Sequence, residues 1–492
     1  MTKRVELTAI LWGLLVANNW LLASGQIENW VKVSGIVLGF LIVTWWISTQ
    51  LDWHQNNSRV MLTVGINLLV GWIILLPLGG LGITSYLISL VVLPQWLLRL
   101  MYLHRIVIVP ILVVFYGALI LLWWQLIRKK MLQLAHPKDD NNLVTIQLGR
   151  NVSRLILTSV VGLILMYVCS TKLADINDGL AGFVLLFLGT LLLACWLSML
   201  TMIYFKLPLD SKSHLMIDIG LMLVGILLVL GWTSKLNYVD NLTTPTIISH
   251  RGVDGSNGVQ NTMQSLSKTV TAHPAVIEMD VQATRDNSFV CFHDANLDHL
   301  AHQRTTVAKL KVSQLRHTKL SENGSTTLMT TFNQYLRFSI QHHQSLIVEI
   351  KPQSISPEKV AHLFDSKYAA QLIQQKAKIH SVDDNIIKEL YHEDPKLSLG
   401  LIRPFVVSRL TNQNVNFYSL DYRTVNQQIV NQLHQRHQKV YVWTVNNPDV
   451  ANRMVQLGVD GIITNRISLI RAKMGSHNQV VTRVKNILWQ LI

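Results

Sequence analysis

The sequence predicts a multi-span α-helical membrane domain over residues 1–240, followed over residues 241–470 by an α/β domain, a (β/α)8 TIM barrel. Two observations predict this division. Half of the 492 residues are hydrophobic and only 14% are charged, and the long apolar runs all come before residue 240. After that point, short apolar runs of strand length alternate with helical patterns, which is typical of a parallel sheet covered by helices. About 220 residues in this order are enough for eight strand–helix units.

Seven apolar segments in the first domain reach, or nearly reach, the length needed to cross a bilayer. They cover residues 7–23, 33–48, 60–78, 106–127, 155–170, 180–205 and 215–232. The apolar stretch 83–98 contains Pro94 and follows a glycine-rich turn, so we expect it to be re-entrant or interfacial. An eighth span is the alternative.

The positions of Lys and Arg predict the orientation of these spans, because cytoplasmic loops carry an excess of basic residues. Loop 128–154 contains Arg128, Lys129, Lys130, Lys138, Arg150 and Arg154, so it is placed inside the cell. Seven spans then put the amino terminus inside and everything after Trp232 outside. The sequence therefore predicts a multi-pass protein of the cell membrane, with the lipid bilayer as a partner and the carboxyl-terminal domain on the extracellular side. An eighth span would move only the amino terminus.

Nine short runs in the second domain are predicted strands, one more than a (β/α)8 barrel needs. They cover residues 246–249, 275–281, 289–292, 346–351, 377–380, 397–402, 416–420, 440–445 and 461–464. The run around Phe417–Asp421 is expected to be the irregular one. Helical patterns between the strands include residues 260–272, 357–363, 384–391 and 425–436.

Side chains suited to catalysis lie at or near the ends of these strands. Glu278 and Asp280 alternate along one strand and so share a face. Two adjacent carboxylates repel each other unless a cation or a proton lies between them, and an all-oxygen pair suits a hard ion such as Mg²⁺ or Ca²⁺. His250 and His293 titrate near neutral pH. Because the active sites of such barrels lie at the carboxyl ends of the strands, we expect these residues to form one site.

Six short motifs in this order resemble those of the glycerophosphodiester phosphodiesterases, most closely the membrane-fused branch of Gram-positive bacteria. The resemblance spans roughly residues 245–465. The motifs are His250-Arg251-Gly252, Glu278-Met279-Asp280-Val281, Phe292-His293-Asp294, Val348-Glu349-Ile350-Lys351, Trp443-Thr444-Val445-Asn446 and Gly458-Val459-Asp460-Gly461-Ile462-Ile463-Thr464.

The resemblance implies a role for six residues. It makes His250 and His293 the catalytic acid and base, Glu278, Asp280 and Glu349 the metal ligands, and Trp443 a substrate contact. Arg251 and Lys351 are expected to contact the phosphate of the substrate, because Arg offers a planar fork of donors and Lys a point charge. The assignment of acid and base between the two histidines stays open. Salt bridges from Arg251 and Lys351 to the carboxylates are the structural alternative for the charged residues, and a core aromatic is the alternative for Trp443.

The implied reaction is the metal-dependent hydrolysis of glycerophosphodiesters to glycerol 3-phosphate and an alcohol, with Mg²⁺ or Ca²⁺ as the divalent cofactor. Substrates could be deacylated phospholipid headgroups or a polyglycerol-phosphate polymer. A membrane transporter or phosphodiester sensor with a catalytically weak barrel, and a phospholipase acting on intact lipid, are the alternatives. The second half carries 27 Lys and Arg against 18 Asp and Glu, which favours anionic partners. No nucleic-acid motif accompanies this charge, and the oligomeric state stays open.

Two positions depart from the family pattern, and each removes a negative charge. Gln260 stands where the family usually has Glu, and Asn465 stands where it usually has Asp. Beyond the barrel, residues 471–492 are predicted to form a basic amphipathic helix that packs on the barrel or lies on the membrane surface.

Overall fold

The structure is a computed structural model of the chain. It describes residues 3–23, 29–50, 57–75, 97, 100–101, 104–123, 125, 156–157, 159–205, 223, 226–227, 229–231, 233, 244–352, 355–406, 410–411, 413–474, 480–481 and 484–485. These residues divide into a helical unit, which includes residues 480–485 of the tail, and a unit built on residues 244–474.

The described part of the helical unit consists of long apolar helices and one short π-helical turn, Cys169–Leu173. The α-helices are α1 Lys3–Ala23, α2 Asn29–Gln50, α3 Asn57–Leu75, α4 Arg105–Leu122, α5 Ala174–Ile176 and α6 Asp178–Phe205. Residues 159–168 are also helical. Most of the predicted span 215–232 and all but one residue of the stretch 83–98 lie outside the described residues.

Two of the described helical segments are long and apolar enough to cross a membrane, Val31–Gln50 and Asp178–Met202. Four shorter apolar helices, of 10–17 residues, accompany them. α4 exposes most of its large apolar side chains, with Ile106 82% and Val114 74% exposed. Each of the six predicted spans up to residue 205 overlaps a described helix, and the crossing of a membrane stays a prediction.

The carboxyl-terminal tail packs on α6 rather than on the barrel. Val480, Val481 and Val484 are buried in a cluster with Ala181 and Leu185. The Asp178 carboxylate accepts hydrogen bonds from the backbone N–H groups of Val480 (2.6 Å) and Val481 (3.0 Å), as a helix cap does. The expected packing on the barrel is therefore wrong for the described tail residues. The apolar side that the sequence predicts for this tail packs instead against the apolar residues of α6.

The second unit is a (β/α)8 barrel, as the alternation of strands and helices predicted. Its strands are β1 Thr246–Ser249, β2 Val276–Ala283, β3 Phe289–Cys291, β4 Lys319–Glu322, β5 Ser325–Leu328, β6 Leu346–Ile350, β7 Lys378–Ser381, β8 Ser398–Arg403, β9 Phe417–Asp421, β10 Lys439–Trp443 and β11 Gly461–Thr464. Its α-helices are α7 Met263–Val270, α8 Asp298–Ala301, α9 Val312–Leu315, α10 Phe332–Gln341, α11 Pro357–Gln374, α12 Asp384–Glu393, α13 Gln427–His434, α14 Pro448–Gln456 and α15 Ile467–Lys473. Turns of 3₁₀-helix cover His250–Gly252, Val307–Lys309 and Tyr422–Thr424.

Eight parallel strands close the barrel in the order β1-β2-β6-β7-β8-β9-β10-β11, and β11 returns to pair with β1. β9 is a regular stave, so the expectation of an irregular strand at Phe417–Asp421 is wrong. The additional strand is β3, which pairs antiparallel with β2. Its three residues extend the edge of β2 and then lead into His293. The sequence also gave no sign of the antiparallel hairpin of β4 and β5.

Inside the barrel, an apolar floor lies beside a charged layer. The floor consists of Ile248, Ile347, Phe417, Tyr441 and Ile463, all at most 5% exposed. Outside the strands, a much larger apolar core fills the space between sheet and helices. Polar groups that are buried between these apolar layers therefore need one another, or a bound ligand, as partners.

Candidate active site

Strand register brings the charged side chains to one level of the barrel. In parallel strands, residues that pair across the ladder point to the same face. Asp280 on β2 pairs with Glu349 on β6, and Glu349 pairs with His380 on β7. Glu278 precedes Asp280 by two residues and shares its face. All four side chains are buried, with exposures between 1% and 7%.

Asp280 is held by two cations and one amide. The Lys351 Nζ lies 3.0 Å from its Oδ1, and the Arg251 Nε lies 3.6 Å from its Oδ2. The Asn261 Nδ2 donates to Oδ2 at 2.8 Å, and the Asn261 Oδ1 accepts from the Asp280 N–H at 3.0 Å. Burial alone would raise the pKa of Asp280, but Lys351 and Arg251 outweigh it and hold the pKa well below its usual range. The salt bridges that were the structural alternative for these residues are thus present.

Glu349 is the carboxylate of the layer whose pKa is raised. Burial, together with the nearby Asp280 and Glu278, raises its pKa to about 7, although Lys351 acts in the opposite direction. The Lys351 Nζ lies 2.7 Å from the Glu349 Oε1. Burial would lower the pKa of Lys351, but Asp280 and Glu349 outweigh it and raise the pKa. Three carboxylates therefore share this part of the barrel with too little positive charge, a condition that favours a bound cation.

The turn after β1 directs Arg251 and its backbone at the carboxylates. Arg251 has a left-handed backbone (φ 56°), and its N–H donates to the Glu278 Oε2 at 3.1 Å. Gly252 follows, also with positive φ (67°). A Cβ at Gly252 would collide with the Tyr335 hydroxyl oxygen. Glycine is required there by both the backbone conformation and the close approach of Tyr335.

The two histidines have different partners. The His250 Nδ1 lies 2.6 Å from the Asn465 Oδ1, a neutral amide oxygen, whereas the His293 Nδ1 lies 2.8 Å from the Asp294 Oδ1, a carboxylate. Burial, and then Arg251, lower the pKa of His250 to about 4. Burial also lowers the pKa of His293, while Asp280 and Asp294 act to raise it. His250 is therefore neutral at pH 7, and its partner does little to stabilise an added proton.

Gln260 connects Arg251 to a carboxylate that the sequence did not place in the site. Its Oε1 accepts a hydrogen bond from the Arg251 Nη1. Its Nε2 and its backbone N–H donate to the two carboxylate oxygens of Glu322, each at 2.9 Å. Glu322 lies at the end of β4, in the unpredicted hairpin. Gln260 carries no charge itself, but its hydrogen bonds link Arg251 to the negative charge of Glu322.

A cleft of about 790 Å³ opens beside His250. Its lining is largely polar and includes His250, Arg251, Gln260, Glu322, Asn446 and Asn465. The Asn446 Oδ1 accepts from the Asn465 N–H at 2.8 Å and so positions the partner of His250. Trp443 is half-buried and packs against the apolar floor, in agreement with the alternative of a core aromatic.

In the part of the chain that the structure describes, one group of three buried side chains is arranged as metal donors are. The donor atoms of Glu278, Glu349 and His380 all lie within 4.8 Å of one another. Glu278 and Glu349 belong to the predicted ligand set, and a divalent ion fits their charge and burial. Asp280 belongs to the same layer but faces Lys351 and Arg251.

Sequence reasoning missed two residues at this level, His380 and Ser419. His380 occupies the carboxyl half of a predicted strand, which is the signal that identified Glu349 and Lys351. Without the register, a single histidine in an apolar run gave no reason to place it beside them. The hydroxyl of Ser419 lies 2.9 Å from the His380 Nδ1. This contact, which links Ser419 to the charged layer, is visible only in the folded barrel.

Comparisons with known proteins agree with this architecture. The glycerophosphoryl diester phosphodiesterase family matches residues 250–469. A glycerophosphodiester phosphodiesterase of Arabidopsis thaliana is 21% identical over 253 residues, which cover 48% of this chain and 75% of the relative. One from Caldanaerobacter subterraneus is 22% identical over 227 residues, covering 44% of this chain and 93% of the relative.

Among solved structures, that of an Oleispira antarctica phosphodiesterase in complex with the product sn-glycerol-3-phosphate is similar, with a TM-score of 0.41 and 17% identity. The match covers 47% of this chain and 97% of that one. The six motifs, the barrel and the family match all concern the same stretch. Residues 250–469, which form most of the barrel unit, therefore carry a domain that matches the glycerophosphoryl diester phosphodiesterase family.

Proposed function

We propose that the barrel hydrolyses glycerophosphodiesters to glycerol 3-phosphate and an alcohol, with His250 and His293 as base and acid. One observation carries this proposal: His250 begins the turn that follows β1, and the Phe292 N–H, next to His293, donates to the Asp280 carbonyl at 3.1 Å, so both histidines lie in the carboxyl half of the parallel strands. Arg251 and Lys351 lie in the same layer. A phosphodiester placed there would meet a proton acceptor, a proton donor and two cations.

The partners of the two histidines support the division of roles. An Nδ1–H donated to the Asn465 oxygen leaves the His250 Nε2 with a lone pair, as a general base needs. The lowered pKa of about 4 keeps that nitrogen unprotonated at neutral pH. His293 faces the Asp294 carboxylate, which stabilises an imidazolium. A bound phosphate anion would raise the pKa of His293 further and make it the acid for the leaving alcohol.

The cations and the carboxylates have complementary roles in holding the phosphate. Arg251 offers the planar donor fork that suits phosphate oxygens, and its Nε has no hydrogen-bond partner among the described residues. Lys351 supplies a point charge. Glu278 and Glu349 would hold a divalent ion, which would neutralise charge on the phosphate in the transition state.

We further propose that the helical unit anchors the barrel in the cell membrane, as in the membrane-fused branch of the family, with the barrel outside. Two helices of sufficient length, the outward apolar side chains of α4 and the basic loop 128–154 support this proposal. Large exposed apolar surfaces are rare on proteins in water.

The test is release of glycerol 3-phosphate by the purified full-length chain in detergent, with glycerophosphocholine or glycerophosphoglycerol as substrate. Substitutions His250→Ala and His293→Ala should each lower kcat by about 10²- to 10⁴-fold. His317→Ala, at an exposed histidine of the same unit, is the matched control. Equal release by the wild type and both variants would refute the acid–base assignment.

Intact phosphatidylcholine in parallel distinguishes a phospholipase from an enzyme for deacylated headgroups. Cleavage of the intact lipid alone would replace the proposed substrate class. A folded chain that binds these phosphodiesters and releases no product from any of them would favour a sensor or transporter.

A further inference from the structure

His380 is a buried imidazole that the proposed acid–base pair does not use. It lies on β7 with an exposure of 2%, at the level of Glu349, and faces the interior of the barrel. A histidine in such a place needs partners for both ring nitrogens, because water does not reach it.

One ring nitrogen has such a partner. The Nδ1 lies 2.9 Å from the hydroxyl of Ser419, which is completely buried on β9. When Nδ1–H donates to this hydroxyl, the tautomer is fixed and the lone pair is on Nε2. Metal-bound histidines are commonly oriented in this way, through a hydrogen bond from the nitrogen that does not bind the ion.

The other nitrogen, Nε2, has no hydrogen-bond partner among the described residues. The nearest carboxylate oxygen, the Oε1 of Glu278, is 3.6 Å away, which is too long for a hydrogen bond. Nε2 is therefore buried, unpaired and directed at the carboxylates. Together with oxygens of Glu278 and Glu349 it forms a set of three donors within 4.8 Å of one another. Ligands of one ion, each about 2.0–2.3 Å from it, have similar spacings.

Asp280 is less available than His380 in this arrangement. Its Oδ2 accepts from Asn261, and its Oδ1, which is in no hydrogen bond, forms an ion pair with the Lys351 Nζ at 3.0 Å. An ion that replaced these contacts would have to separate Asp280 from Lys351. The nitrogen of His380 offers a third donor without that separation.

We propose that His380, through Nε2, is a ligand of the divalent ion held by Glu278 and Glu349. The resulting nitrogen–oxygen donor set suits a first-row ion that binds imidazole well, such as Fe²⁺ or Zn²⁺, better than Ca²⁺ or Mg²⁺, which prefer oxygen alone. Mn²⁺, which accepts both kinds of donor, serves as the paramagnetic probe. The inference rests on the metal site of the proposed function. It adds a ligand and names the class of ion.

The experiment uses the full-length chain in detergent, loaded with one equivalent of Mn²⁺ and studied by pulsed EPR. Hyperfine coupling to ¹⁴N reports a nitrogen bound to the ion. The wild type should show this coupling, His380→Gln should lose it, and the Kd for Mn²⁺ should rise at least about tenfold. His250→Gln and His317→Gln should keep the coupling, because neither belongs to the donor set.

Ser419→Ala is a second variant with a graded expectation. It removes the hydroxyl that orients His380 but leaves the ligand, so coupling should persist while the Kd for Mn²⁺ rises by less than in His380→Gln. Competition adds a third readout. An excess of Ca²⁺ should fail to displace Mn²⁺ from the wild type, and should displace it more readily from His380→Asp, whose donors are all oxygen.

Stoichiometric Mn²⁺ binding to the wild type without ¹⁴N coupling would overturn the inference, and so would coupling that His380→Gln retains. The wild-type spectrum decides the matter even if a variant fails to fold. Hydrolysis by a protein whose ion has only oxygen ligands would reject His380 and leave the proposed function intact. Nitrogen coupling in a protein that hydrolyses no phosphodiester would support His380 as a ligand and reject the proposed function.

Discussion

Helix α4 of the helical unit and the strands of the barrel differ in where they place their large apolar side chains. In α4, Ile106 and Val114 are 82% and 74% exposed, whereas Ile347 and Met279 in the barrel are 0% exposed. Both units are rich in Val, Ile and Leu, so composition does not distinguish inside from outside. Under the proposed membrane anchoring, the difference follows from two kinds of surroundings, hydrocarbon for the helices and water for the barrel.

The polar groups differ in the same way. Within the helices, the buried pairs are mostly neutral, such as the Trp12 Nε1 donating to the Thr190 Oγ1 at 2.9 Å and the Thr8–Ser198 hydroxyl pair at 2.7 Å. Within the barrel, most of the buried charges are gathered in one layer. Burying a charge is costly unless a counter-charge accompanies it. Arg403 and Asp421, which are buried elsewhere, have such counter-charges in Asp384 and Arg423.

The largest effect is expected from breaking the charged layer. Lys351→Met leaves Asp280 and Glu349 without their closest cation, and in EDTA this should destabilise the barrel by about 3–5 kcal/mol. Hydrogen exchange of peptides from β2 and β6 measures the loss. Lys359→Met, at an exposed lysine on α11, is the control and should change little. A loss below about 1 kcal/mol would mean that the carboxylates take up protons instead.

The second prediction tests the opposite surroundings of the two units. Val114→Arg, near the middle of α4, should disfavour membrane insertion of this helix by about 3 kcal/mol. A translocon insertion assay with glycosylation tags on either side of α4 measures the change. Leu328→Arg, at a 49% exposed leucine of the barrel unit, should alter stability by no more than about 0.5 kcal/mol. If Val114→Arg changes membrane insertion as little as Leu328→Arg changes stability, the proposed difference in the surroundings of the two units is wrong.

The third prediction concerns the proposed base inside the barrel. Asn465→Asp places a carboxylate against the His250 Nδ1, which favours the imidazolium and raises its pKa from about 4. A raised pKa means that His250 takes up its proton at higher pH. The acidic limb of kcat/KM should therefore move up by about one pH unit, equivalent to about 1.4 kcal/mol. An unchanged limb would show that His250 is not the group that titrates there.

The smallest effect is expected at the tail in the helical unit. Asp178→Ala removes the acceptor for the N–H groups of Val480 and Val481, which should cost about 1 kcal/mol. Hydrogen exchange of a peptide covering residues 480–485 should then be about fivefold faster. Asp178→Asn keeps an acceptor oxygen, so the exchange rate of this peptide should lie between those of the wild type and of Asp178→Ala. Unchanged exchange would mean that the apolar contacts with α6 alone hold the tail.

Local patterns alone located most of the barrel. Every predicted strand is present, and its ends agree with the observed ends within two residues. Short apolar runs bounded by polar residues are typical of buried strands. The order of strands and helices then predicted the barrel, and its carboxyl ends predicted the level of the site. Antiparallel pairing of β3 and the hairpin of β4 and β5 were not foreseen, since neither carries a long periodic pattern.

The contacts within the site depended on the folded chain. Gln260 lacks the charge that the family usually has at its position, and only the approach of the hairpin shows Glu322 supplying it. Asn465 likewise became interpretable only beside the Nδ1 of His250. The contact between Gln260 and Glu322 joins residues that are 62 positions apart in the chain, and that between His250 and Asn465 joins residues that are 215 positions apart. A local sequence pattern carries no information about pairs at such separations.

The sequence by itself determined the strand order, the apolar helices and the set of motif residues, because periodicity and residue type act over a few neighbouring positions. Tertiary structure decided which of those residues face one another. Only the closure of eight staves, with its register, brings His380 to the level of Glu349 and leaves Asp280 between Lys351 and Arg251. Electrostatic interactions fall off with distance through space, so the chemistry of the layer is set by the fold rather than by the order of residues along the chain.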